Sequence, residues 1–140
     1  MISARGLSLA LFLSACSSAS SGDGAAAGFP ANAFVTVAST SGALSVDVRS
    51  SPQPPERGVV DVEYTVHDAS GKPVDGLTVV VTPWMVSHGH GASVRPTVTA
   101  QGQGKYLVTG VSLFMAGRWE LRTEVSGPTS DSLAPAFEVQ

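Results

Sequence analysis

Between residues 60 and 67 the chain reads Val-Asp-Val-Glu-Tyr-Thr-Val-His, apolar and polar in strict alternation. Only an extended strand sends successive side chains to opposite faces, so this run specifies a strand buried on one side. Leu44, Val46 and Val48 alternate in the same way with Ser45, Asp47 and Arg49. Prolines at 52, 54 and 55 end that strand, because proline has no N–H to give to a ladder. Asp68-Ala69-Ser70-Gly71-Lys72-Pro73 reads as a turn, after which Leu77, Val79 and Val81 face a core as far as Pro83. Phe34–Ala38, Val94–Ala100, the stretch from Trp119 to Val125 and Ala134–Val139 supply further strands. Tyr106 and Val108 point one way; Val111, Leu113 and Met115 continue inward only after a one-residue change of register. That change predicts a bulge at Thr109-Gly110. No segment sustains a helical period. The expected fold is all-β, an immunoglobulin-like antiparallel β-sandwich of 7–8 strands over residues 34–140, with Tyr106 of Gly104-Lys105-Tyr106 as a corner tyrosine.

The N-terminus reads as a targeting signal over residues 1–15. Arg5 precedes the apolar run Leu7–Leu13, which is far shorter than the ~20 residues needed to span a bilayer. Leu13-Ser14-Ala15-Cys16 then resembles a bacterial lipoprotein box, in which Cys16, the single cysteine, receives the lipid and becomes the first mature residue. Residues 16–33 are mostly Ser, Ala and Gly and read as a flexible tether. The expected location is the cell envelope, facing the periplasm or the exterior. Ser17 favours the outer membrane if the host is Gram-negative. With Cys16 lipidated no thiol remains for a disulfide, so the fold rests on packing alone.

A net charge of −3 with only 14% charged residues supplies no basic face for nucleic acid. Asp61, Glu63, Glu120 and Glu124 fall on the solvent side of their strands by parity, so no carboxylate pair is set up for acid–base work. No serine has a base in view and no phosphate-cradling loop precedes a helix. The chain is expected not to be an enzyme, with no catalytic or organic-cofactor residues.

One loop concentrates the chemistry. Trp84-Met85-Val86-Ser87-His88-Gly89-His90-Gly91 holds two of the three histidines and a methionine. Strand counting brings Met115 to the same end as Met85, His88 and His90, together with Pro52–Pro55 and Glu56. It leaves His67 about 20 Å away at ~3.3 Å per residue, outside any shared site. Imidazoles and thioethers together suit copper, while magnesium and calcium want oxygens. The four candidate metal ligands are therefore His88, His90, Met85 and Met115. Each also has a plainer reading: a solvated turn for the histidines, core packing for Met85 and Met115. Trp84 and Trp119 read as walls of the sandwich top.

These motifs resemble the YtkA-like domain, related in pattern to the oxidase-assembly protein FixH. The resemblance rests on Met85-Val86-Ser87-His88-Gly89-His90-Gly91, Gly104-Lys105-Tyr106 and Leu113-Phe114-Met115-Ala116-Gly117-Arg118-Trp119. The turn His67-Asp68-Ala69-Ser70-Gly71-Lys72-Pro73-Val74 is similar to the family's Asp-x-x-Gly-x-Pro-Val. Two departures stand out: Val86 replaces a proline, and His88 stands where the family carries its second methionine. The exchange keeps a donor but hardens the set toward Cu(II) or Zn(II). The resemblance implies an extracytoplasmic Ig-like domain and copper handling or delivery to an oxidase. The other function left open is a metal-free interaction module contacting an envelope protein through Trp84 and the proline segment.

The lipoprotein reading makes a direct prediction. The full chain incorporates palmitate and shows a globomycin-sensitive mobility shift, and Cys16→Ala abolishes both. Palmitate labelling that survives Cys16→Ala overturns it.

Overall fold

The computed structural model describes residues 28–140; the signal, the Cys16 lipidation and most of the tether lie outside the described residues. The elements are β1 (Val35–Ala38), β2 (Leu44–Ser51), β3 (Gly58–Asp68), β4 (Thr78–Met85), β5 (His90–Gly91), β6 (Thr97–Gly102), β7 (Lys105–Leu113), β8 (Gly117–Ser126), β9 (Asp131–Leu133) and β10 (Ala136–Val139). Every pairing is antiparallel. One sheet runs β1-β2-β3-β7-β6, the other β10-β8-β4-β5 with β9 beside β8. The all-β sandwich expected from the alternation is the observed fold. Two very short strands, β5 and β9, bring the count to ten.

The alternating residues do what their period requires. Val46, Val48, Val62, Tyr64, Val66, Val81, Val108 and Leu121 form the buried layer between the sheets. A polar bridge crosses this layer. Thr123 donates its hydroxyl to the Leu121 carbonyl (2.9 Å), so the hydroxyl of Tyr64, 3.0 Å away, donates to Thr123. Burial pushes the Tyr64 phenol up, and the hydrogen bond to Thr123 opposes that only in part.

The bulge lies where the register change placed it. Val62 pairs Val108 and Val60 pairs Val111, so Thr109 and Gly110 together oppose Asp61. Gly110 takes φ +77° and its N–H donates to the Asp61 carboxylate at 3.3 Å. Two expectations need correction. Glu63 is not on a solvated face: it is only 7% exposed, with Lys105 3.7 Å and Arg49 3.9 Å away. Residues 28–33, assigned to the tether, lie by the same outer face. Arg49 donates to the Ala31 carbonyl and Gln53 to that of Asn32.

The lower end is closed by Tyr106. Its hydroxyl donates to the Val74 carbonyl (2.9 Å) and accepts from the Leu77 N–H (3.1 Å). Beside it, Gly104 sits at φ +72°, and a Cβ there would stand 2.5 Å from the Val66 carbonyl oxygen. The Asp68 turn is held by its own carboxylate, which accepts from the N–H groups of Ser70 and Lys72. The Ser70 hydroxyl bond contributes most to holding that carboxyl below its usual range.

Removing the tyrosine hydroxyl leaves the Leu77 N–H without a partner. Tyr106→Phe is expected to cost about 1–3 kcal/mol, read as a lowered urea midpoint with unchanged slope. Gly104→Ala is expected to cost more, because backbone rather than a side-chain tip must move.

Candidate functional site

β4 and β8 pair without interruption from Thr78 opposite Ser126 to Met85 opposite Trp119. The strand therefore runs straight through Pro83, where the sequence reading ended it. Pro83 is tolerated because its carbonyl faces away from β8 and accepts from the Ala92 N–H at 3.0 Å. The missing N–H points to that same side, beyond the end of two-residue β5, so no bond to β8 is lost.

After Met85 the chain reverses. The N–H groups of His88 (3.3 Å) and Gly89 (2.9 Å) both donate to the Met85 carbonyl. Gly89 takes φ +69°, a left-handed turn that glycine adopts at little cost. The chain returns with His90 opposite Met85 and Gly91 opposite Trp84. Gly91 serves a different need, close approach: a Cβ there would stand 3.3 Å from the Pro83 oxygen. The reversal sets the His88 and His90 rings with centroids 5.7 Å apart and planes at 60°.

Residues directly opposite in an antiparallel pair share a face. His90, Met85, Trp119 and Phe137 thus form one row across the second sheet. The inner members of this row are covered: Met85 is 1% and Trp119 3% exposed. His90, on the short outer strand, is exposed.

Met85 lies in the core, taking the plainer of its two readings. Its methyl carbon would be 3.0 Å from a Cβ on Gly117, so the sulfur sits under the turn between β7 and β8. Met115 departs from its core reading. β7 ends at Leu113 and the chain bends, which leaves Met115 38% and Phe114 67% exposed. The parity count carried the inward series one residue pair too far.

His90, Met115, Trp119, Val94 and Phe114 line one open cleft of about 290 Å³. The indole N–H of Trp119 donates to the Met115 carbonyl at 2.9 Å and so fixes the turn that carries this methionine. Of the four expected ligands, three gather at this rim: His88 beside His90, and Met115 in the cleft with His90. Met85 is the floor beneath them. His67 lies at the far end, opposite Ser45 and bridged to Pro73. Trp84 does not wall the core. It is on the outer face with the Arg122 guanidinium 4.1 Å from its ring centre.

Sequence reasoning did not assign Val94 and Phe114 to the cleft. Phe114 carried a signal, an aromatic at an outward position beside a candidate ligand. Val94 carried none, because the chain between β5 and β6 follows no period.

The His90 ring has a second partner. Its Nδ1 is 3.2 Å from the Gly91 carbonyl oxygen. With the proton on Nδ1 donated there, Nε2 keeps a free lone pair, the arrangement that orients histidine ligands of metals. Among the described residues no three of His, Cys, Asp and Glu group together as metal ligands. The thioether of Met115 is the soft side-chain donor that shares the cleft with His90.

The family pattern of the YtkA-like domain matches residues 38–124. The chain belongs to the YtkA-like family. No curated protein sequence matches it. Among solved structures, the YtkA-like chain is similar to a copper-bound variant of FetP from uropathogenic Escherichia coli at 10% identity. That match covers 74% of this chain and 91% of the other, with a TM-score of 0.48. FetP as isolated after expression in the E. coli periplasm gives 11% identity, coverages of 76% and 91%, and a TM-score of 0.49. A copper-bound variant of the P19 protein of Campylobacter jejuni gives 11% identity, coverages of 74% and 94%, and a TM-score of 0.47.

The division between the two methionines is testable by stability. Met85→Ala is expected to cost about 2–5 kcal/mol in urea unfolding, as for other buried large-to-small changes. Met115→Ala, at the exposed rim, is expected to stay within about 0.5 kcal/mol of the parent.

Proposed function

We propose that this YtkA-like chain is a non-enzymatic copper-binding protein of the cell envelope. It is lipid-anchored through Cys16, faces the periplasm or exterior, and serves copper handling or delivery to an oxidase. The observation that carries the copper reading is the imidazole pair. A metal that holds two ring nitrogens at about 2.0–2.1 Å sets the ring centres roughly 5–6 Å apart. The His88 and His90 ring centres stand 5.7 Å apart on this hairpin, within that range.

The donor set favours copper over its competitors. Two imidazoles and one thioether offer no oxygen anion, which disfavours magnesium and calcium. Structural zinc sites take four nitrogen or sulfur ligands, usually with thiolate among them. Copper accepts imidazole in both oxidation states and thioether in the lower one. His88 and His90 would hold the ion, and Met115 would complete the set from across the cleft. When bound, copper supplies ligand exchange with a recipient; the protein supplies an open rim from which it can leave.

Bathocuproine competition with the full chain is expected to show one copper per chain. His88→Ala combined with His90→Ala is expected to abolish it, and a double variant that binds as the parent does overturns the reading. One observation favours the interaction module instead: Phe114 and Val94 are 67% and 61% exposed at the cleft. That reading predicts partner capture that a chelator leaves unchanged.

A further inference from the structure

We infer that the rim selects monovalent copper over divalent, with Met115 as the residue that sets the preference. This rests on the copper reading above and goes beyond it, because two histidines alone would favour Cu(II).

Two features of the cleft point the same way. The first is charge. No carboxylate lines the cleft beside His90, and its walls are Val94, Phe114, Met115 and Trp119, with Ser93 after β5 and Ser112 on β7. The cost of moving an ion out of water rises with the square of its charge, so a dipositive ion pays roughly four times what a monopositive one does. Neutral donors in a largely apolar cleft return less of that difference than a carboxylate would.

The second is softness. Among the described residues Met115 brings the only accessible sulfur to the rim, since Met85 is 1% exposed beneath Gly117 while Met115 is 38% exposed. Thioether is a soft donor and matches Cu(I). The Trp119 bond to the Met115 carbonyl holds that sulfur's backbone beside His90 whether or not an ion is present.

The experiment uses the full chain in a Trp84→Phe background, which leaves Trp119 as the only tryptophan. Trp84 stacks with Arg122 on the outer face and takes no part in the cleft. Ag(I), a redox-inert stand-in for Cu(I), is expected to quench Trp119 emission at one equivalent. Competition with bathocuproine for Cu(I), and with a nitrogen–oxygen chelator for Cu(II), gives the two affinities. Met115→Leu is expected to weaken Cu(I) by about tenfold or more while changing Cu(II) by less than about threefold. Binding of Cu(II) at least as tight as Cu(I) overturns the inference and leaves the copper reading standing. So does a Met115→Leu effect of equal size on both ions, or no quenching of Trp119 by bound Ag(I). Binding of neither ion removes the copper reading and this inference together.

Discussion

The unbroken ladder between β4 and β8 sets the height of everything at the upper rim. Eight residues of β4 pair in register with eight of β8, so Met85 arrives level with Trp119. The turn after Met85 then has no freedom in where it begins. A one-residue slip of β4 would turn Met85 outward and Trp84 inward, exposing the core of that end. The burial of Val79, Val81, Met85, Leu121 and Val125 on one face forbids the slip. The geometry of two exposed imidazoles is thus inherited from apolar packing several residues below them.

The lower end works by a different device. There the tyrosine hydroxyl, the Gly104 close approach and the Asp68 carboxylate tie the connections together through directional bonds. The upper end has the opposite character, with bends, exposed apolar side chains and a two-residue strand. Rigidity at one end and openness at the other follow from where each set of turns falls. Neither end contains a disulfide, which agrees with a chain whose single cysteine lies at position 16.

What the sequence made legible follows from period two. Strands whose faces differ in polarity announce both their existence and their direction, so β2, β3, β4 and β8 and the bulge at Thr109-Gly110 could be read directly. Direction alone then assigned His88, His90 and Met115 to one end and His67 to the other. The errors fall where alternation stops carrying information. Pro83 reads as an end because a proline breaks most ladders, and only the brevity of β5 excuses it here. Met115 shares the parity of Leu113, yet the strand ends between them. Glu63 sits at an outward position, but a neighbouring lysine and arginine and the segment before β1 cover that face. Long-range covering of a polar side chain has no periodic signature.

The two methionines show why a donor count from sequence overstates a site. Both lie at the same end of the sandwich and both follow a run of inward residues. Their difference lies in what stands over each of them. Gly117, lacking a side chain, lets the Met85 methyl close up beneath the turn. Met115 belongs to that same turn and is 38% exposed, its carbonyl held by the Trp119 indole N–H. A single turn therefore hides one sulfur and displays the other. Stability depends on the hidden one, because filling the space under the turn is worth several kcal/mol when a large apolar side chain does it. Chemistry is left to the displayed one, whose exposure costs little and whose backbone is already held. The same separation applies to His88, which lies on the exposed reversal and outside the packing that sets the rim's height.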